Sequence, residues 1–152
     1  MKLLQVLFLV VNTFSAKLFT KIIQTPIFDS DSLCAQHHIV LLKETPFIES
    51  QSDYFNIYAV DFSPTDDITD PNNAWKIFLG KPVKGQIKMV YFDNIDHMTL
   101  VSDPSKRANL CPLDSIEKID RNMYCKIKKW DLMFQLYNHN CQHFGRYLCN
   151  GS

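Results

Sequence analysis

The 152-residue chain has no surplus of either charge, no internal repeat, no low-complexity tract and no apolar run long enough to cross a bilayer. Sixteen Lys and Arg against sixteen Asp and Glu cancel to a formal net charge of zero. That balance removes the basic excess with which nucleic-acid-binding domains neutralise phosphates, so no nucleic-acid partner is expected. A stable span needs roughly 20 consecutive apolar residues, and none is present. With 46% hydrophobic and 21% charged residues the composition is globular, which excludes disordered and fibrous architectures. The length suits about one domain, read from Lys17 onward.

What is present begins at the N-terminus. Lys2 is followed by the apolar run Leu3–Val11, interrupted only by Gln5, and then by small residues at Thr13, Ser15 and Ala16. This has the length and flanks of a signal peptide within residues 1–16, with Thr13 and Ser15 at the small-residue positions if cleavage follows Ser15. A buried N-terminal helix or strand is the alternative. A secreted chain folds in an oxidising compartment, where cysteines pair. The count is odd: Cys34, Cys111, Cys125, Cys141 and Cys149. Four form two bridges in one of three ways, and one thiol is left over.

Between the ends the pattern is α+β. His38–Leu42 and Asn56–Phe62 are β-branched apolar runs, read as strands joined by a polar, Pro46-containing hairpin connection. Asp66–Asn73 reads as an acidic loop, with one or two helical turns over Ala74–Leu79 closed by Gly80. Gln86–Phe92 alternates as a strand. Asp114 with Glu117 three residues on resembles a helix start, continued by Ile116, Ile119 and Met123. Leu132–Tyr137 fits a strand or a helix. Asn138 or Asn140 caps a last helix through Cys141, Phe144, Tyr147 and Leu148. Strands first and a helix last is an α+β order, not alternating βαβ.

The chemistry concentrates in Asn138-His139-Asn140-Cys141-Gln142-His143-Phe144. A helix starting at Asn140 puts Cys141 in its first turn, where free backbone N–H groups and the positive end of the dipole favour a thiolate. A thiol nucleophile needs a base, commonly a histidine oriented by a third polar group. His37 and His38 at one strand start, and Asp61 near the end of the next, come together if the strands pair antiparallel.

Asn140-Cys141-Gln142-His143-Phe144 resembles the Asn-Cys-x-His-Phe box of the circularly permuted papain-like superfamily, which includes lecithin:retinol acyltransferase and its relatives and shares its wider fold with cell-wall peptidases. In permuted members the catalytic histidine lies on an early strand and the cysteine opens a late helix, the order seen here. Ala59–Pro64 is similar to the family segment in which a polar residue precedes apolar-small-Pro, which implies Asp61 as third member. Gln142 departs from the usual Glu of the acyltransferases, and the connection from His38 to Asp61 is longer than in compact relatives.

The resemblance implies a small antiparallel sheet packed against a C-terminal helix carrying the nucleophile. It further implies a secreted cysteine-dependent hydrolase or acyltransferase acting on a lipid ester, peptide or peptidoglycan-type substrate. Cys141 is the expected nucleophile, His38 the preferred base because it directly begins the apolar run, His37 its rival, and Asp61 the orienting carboxylate. Cys141 is then the odd thiol, with Cys34, Cys111, Cys125 and Cys149 in two bridges. The rival function is an inactive binding or effector protein on the same fold. No cofactor is expected. No metal is expected either: His139 and His143 have zinc-helix spacing, but Cys141 lies about 200° from both around a helix. Gln135 matches an oxyanion-hole glutamine only by position. His97 reads as an exposed loop residue, and Trp75 and Trp130 as core or cleft wall.

Overall fold

The computed structural model describes residues 17–26, 36–107 and 109–150. The fold is α+β: among the described residues there are five antiparallel strands in the order β1-β2-β3-β4-β5 and four α-helices, the last following the sheet. The strands are β1 (Phe19–Pro26), β2 (Gln36–Lys43), β3 (Asp53–Pro64), β4 (Val83–Asp96) and the short β5 (Met133–Phe134). The helices are α1 (Pro71–Phe78), α2 (His97–Ser102), α3 (Arg121–Lys128) and α4 (Cys141–Cys149).

The sheet is covered on both faces, which explains why β2 reads as an unbroken apolar run and not as an alternation. Val40, Leu42, Val60, Phe62 and Met89 join Phe144 and Leu148 of α4 and Met123 and Ile127 of α3 in one core. Ile39, Leu41, Ile57 and Ala59 join Leu100 of α2 in a second core on the opposite face. Ile39 to Leu42 are all at most 1% exposed. In β3, Tyr54 and Ile57 face the same core although they are three residues apart. The left-handed backbone of Asn56 (φ 52°) between them breaks the strand's period of two.

Turn chemistry sets the helix ends. Asp70 accepts from the Asn72 N–H and starts α1 with Pro71 behind it, and Gly80 (φ 73°) lets the chain reverse after it. The acidic loop is thus committed to local structure: Asp67 accepts from the Thr69 N–H and hydroxyl. The expected helix start at Asp114 is a short 3-10 turn, Leu113–Ile116. The α-helix begins later, where the buried Asp120 accepts from the Met123 N–H. Asp114 instead accepts from the Tyr124 hydroxyl. Asp120 also ties the start of β1 by accepting from the Leu18 N–H.

One further expectation is narrowed and three are corrected. Leu132–Tyr137 forms only a two-residue strand, because a turn follows at once, closed by reciprocal backbone hydrogen bonds between Gln135 and His139. His97 opens α2 and bonds the Tyr54 hydroxyl at 3.0 Å, so it is not a loop residue. Trp75 is 66% exposed rather than core, because α1 turns Ile77 inward and leaves Trp75 and Phe78 outward. Cys111, Cys125 and Cys149 are free thiols, so the two bridges expected of Cys34, Cys111, Cys125 and Cys149 are not formed here. Cys111 lies on the outer edge of β4 with its thiol on the Ser115 hydroxyl, while Cys125 and Cys149 belong to α3 and α4. Cys34 and the proposed signal peptide lie outside the described residues.

Phe62 anchors the larger core, meeting Trp130, Phe134, His139 and Phe144 at ring-centroid distances of 5.6 to 5.8 Å. Gly85 makes room for it. A Cβ there would stand 2.6 Å from the Phe62 ring and 2.7 Å from the Leu132 carbonyl oxygen, whose hydrogen bond from the Gly85 N–H joins β4 to the β5 region. Gly85→Ala should therefore destabilise the fold by about 1–3 kcal/mol through overpacking, read as a lowered denaturation midpoint at unchanged slope. An unchanged midpoint would mean that the sheet edge relaxes freely around Phe62.

Candidate functional site

The β2–β3 ladder runs from Lys43–Ile57 to Val40–Val60 and stops. Beyond it, His37 and Asp61 meet through side chains, with His37 Nε2 2.9 Å from Asp61 Oδ2. The pairing explains which histidine is used. Leu41 stands opposite Ala59, and two steps outward on each strand preserve the face. His37, Ile39 and Leu41 therefore share a face with Ala59 and Asp61, while His38 points the other way with Val40.

The third participant arrives from α4. Asn140 accepts from the N–H groups of Gln142 (2.9 Å) and His143 (3.2 Å), and His143 completes a capping box by turning its Nδ1 to the Asn140 backbone. The cap fixes Cys141 as the first helical residue, 7% exposed. The sulfur receives the His38 backbone N–H at 3.4 Å and lies within hydrogen-bonding reach of the His37 ring. With Nε2 on Asp61, Nδ1 is the ring nitrogen left to face the sulfur.

The electrostatics follow from this arrangement. Burial disfavours the charged His37 imidazolium, but hydrogen bonds to Asp61 and Cys141 and their negative charges outweigh it, raising the pKa from 6.5 to about 9. Burial likewise disfavours the Cys141 thiolate. The His37 hydrogen bond and charge, with backbone N–H groups of His38 and Cys141, overcome it and pull the thiol below its ordinary value. His38 moves the opposite way. Burial, the His37 charge and Arg146 all lower its pKa, and its Nδ1 is buried without a partner.

The expectation that His38 is the base is thus corrected in geometry. Its ring points away from Asp61, and it serves the sulfur through its main chain. His37, Asp61 and Cys141 are brought together. Gln135 is not, since its side-chain amide donates to the Gly80 carbonyl. His143 belongs to the cap and His139 Nε2 lies 2.8 Å from the Asp131 carbonyl oxygen. Among the described residues no group of three His, Cys, Asp or Glu is placed to hold a metal ion.

Sequence reasoning missed Arg107. It ends the 3-10 turn Pro104–Arg107, where burial lowers its pKa against the attraction of Asp61 and Asp103, and its Nε is buried without a partner. A lone arginine in a loop carries no sequence signal. It approaches Asp61 only because backbone bonds pin Leu110 and Cys111 to the outer edge of β4.

No protein family, characterised protein or solved structure matches the chain.

The pKa directions give a test with a defined sign. His37 is raised, so its contribution to stability is complete below about pH 6.5 and fades as pH climbs through about 9. Cys141 is lowered, so its contribution is present above the unfolded thiol value of 9.0 and is lost as pH falls through the folded value. Between about pH 6.5 and 9 the two contributions change in opposite directions, so the stability difference between wild type and His37→Gln should stay nearly level there. In the same variant the pH midpoint of Cys141 alkylation by iodoacetamide should move upward. A midpoint unmoved by the substitution would separate His37 from the thiol.

Proposed function

We propose that this chain is a cysteine-dependent hydrolase or acyltransferase that acts on an ester or amide through an acyl-enzyme, on a permuted papain-like arrangement. The observation that carries the reading is the meeting of a thiol at a capped helix start, an imidazole and a carboxylate, drawn from α4, β2 and β3. A structural cysteine needs neither a lowered pKa nor a histidine held by a second acid.

In the proposed reaction the Cys141 thiolate attacks the carbonyl carbon, and the carbonyl electron pair moves to oxygen. The Cys141 and His38 backbone N–H groups, both directed at the sulfur, would be the donors to the developing oxyanion. Collapse expels the alcohol or amine, which takes the proton from His37 Nδ1. Water or another acceptor hydroxyl then gives its proton to His37 and attacks the thioester, returning the thiolate. Asp61 holds His37 in the orientation and charge state that both half-reactions need.

Lipid esters, peptides and peptidoglycan-type amides all fit this chemistry, in the secreted setting suggested by the N-terminal residues. Trp75, Phe78 and Tyr137 are each at least 60% exposed, and Tyr137 lies four residues before Cys141 with its hydroxyl on the Phe78 carbonyl. These apolar surfaces near the nucleophile's loop favour a substrate with an apolar acyl portion.

With an activated ester such as p-nitrophenyl butyrate, Cys141→Ala should abolish turnover. His37→Ala should lower kcat/KM by about 10²–10⁴-fold, the range of a lost general acid–base. His38→Ala retains the main-chain N–H and should stay within about tenfold of wild type. Equal losses at the two histidines would remove the assignment of the base. Absence of both turnover and iodoacetamide labelling at Cys141 would leave the inactive binding protein.

A further inference from the structure

Helix α1 carries more apolar surface than the cores use. Ala74-Trp75-Lys76-Ile77-Phe78-Leu79 has five apolar residues in six positions, and a helix apolar on most sides normally lies inside a protein. Here Ile77 is the residue turned into the core. Trp75, Phe78 and Leu79 have the i, i+3, i+4 spacing of one helix face, centred roughly opposite Ile77, and are 66%, 60% and 53% exposed. The stripe is held in place at its C-terminal end. Gly80 (φ 73°) reverses the chain, and the Tyr137 ring lies 3.0 Å from where a Cβ on Gly80 would stand, with its hydroxyl on the Phe78 carbonyl. Tyr137 is itself exposed and extends the patch.

The charge around the stripe is one-sided. From Pro71 to Phe92 the sequence has four lysines and no Asp or Glu, in a chain whose formal net charge is zero. Three of the four, Lys76, Lys81 and Lys84, are exposed beside the stripe. The Lys81 N–H donates to the Lys76 carbonyl, and Lys84 pairs with the exposed Met133 of β5. The neighbouring acids lie elsewhere or are engaged. Asp66, Asp67 and Asp70 precede the opposite end of α1, where Asp67 accepts from Thr69 and Asp70 from Asn72. Asp131 accepts from the Met133 N–H. Trp and Tyr join an apolar body to a polar tip and are favoured at the boundary of a bilayer, while lysines beside them attract anionic headgroups. Lysine is by contrast depleted from protein–protein interfaces.

We propose that this patch docks the protein on the surface of a bilayer that contains anionic lipid. Trp75, Phe78 and Leu79 enter the boundary between headgroups and acyl chains, and Lys76, Lys81 and Lys84 meet the headgroup charge. The docked face adjoins the end of the sheet that bears the candidate site. The Thr65 N–H donates to the Lys84 carbonyl, Pro64 pairs with Gly85, and Asp61 lies three residues earlier on β3. Docking does not depend on Cys141 acting as a nucleophile, so the two readings stand or fall separately.

The test uses the full chain and phosphatidylcholine vesicles with and without phosphatidylserine, read by co-sedimentation and by tryptophan emission. Wild type should sediment with the phosphatidylserine vesicles, with a blue shift in emission that Trp75→Ala lacks. A lysine beside an anionic surface is worth about fivefold in partitioning, so replacing Lys76, Lys81 and Lys84 together by Gln should weaken binding at least tenfold. Trp75→Ala should weaken it on both readouts. Because all four side chains are exposed, both variants should keep the wild-type melting temperature. Cys141→Ala should sediment like wild type. Equal partitioning onto the two vesicle compositions would overturn the anionic-lipid assignment. If the chain stays in solution with both, or if both variants sediment as well as wild type, the patch is not a bilayer contact. A Trp75 already shielded from acrylamide without vesicles would show that a protein segment covers it, which equally overturns the proposal.

Discussion

Everything distinctive about this molecule depends on one partly buried imidazole held between two acids. His37 faces Asp61 on one side and Cys141 on the other, and neither contact exists in the secondary structure of any single element. The imidazolium is costly to bury alone, and so is the thiolate. Each becomes tolerable only because the other is present, with Asp61 behind it. The site is therefore a cooperative unit in which geometry and charge state are set together. Loss of the carboxylate alters the histidine, and loss of the histidine alters the thiol.

The fold supplies this unit by leaving a sheet ladder unfinished. Had β2 and β3 continued pairing past Val40–Val60, Ile39 would stand opposite Asp61 and the strand backbones would use the space that the thiol occupies. Instead the His38 N–H donates to Cys141. The covered faces of the sheet make the arrangement rigid. The α4 side holds Phe144 and Leu148, the α2 side holds Leu100, and β2 between them is anchored by four consecutive buried residues. Asn140 then fixes where α4 begins to within one residue, and with it the position of the sulfur.

Much of this was legible in the residues, and the omissions have physical causes. Asn140 as a cap, Cys141 in the first turn and the α+β order follow from local chemistry, which sequence carries directly. The choice between His37 and His38 depended on which residue of β3 stands opposite Leu41, a non-local fact that a one-residue slip reverses. β1 is weakly patterned and α2 is only six residues long. They exist because Ile23 and Leu100 have a sheet face to bury against, a tertiary benefit that no local window shows. The bridge assignment assumed that an oxidising compartment would pair the remaining cysteines, but Cys125 lies inside α3 and Cys149 ends α4, two helices whose positions are set by the larger core.

The same helix start links the two surfaces of α4. Asn140 caps the helix through the N–H groups of Gln142 and His143, and the His143 ring returns to Asn140. One side of this capping box carries Cys141; the other borders a groove containing Arg146. Burial first, and then the charges of Arg146 and His139, lower the His143 pKa and favour the neutral ring that the cap uses. A protonated His143 can no longer accept from the Asn140 N–H, so the cap must rearrange its hydrogen bonds while Asn140 Oδ1 remains available to the ring. The burial and charge that keep His143 neutral thus also maintain the cap that positions the nucleophile.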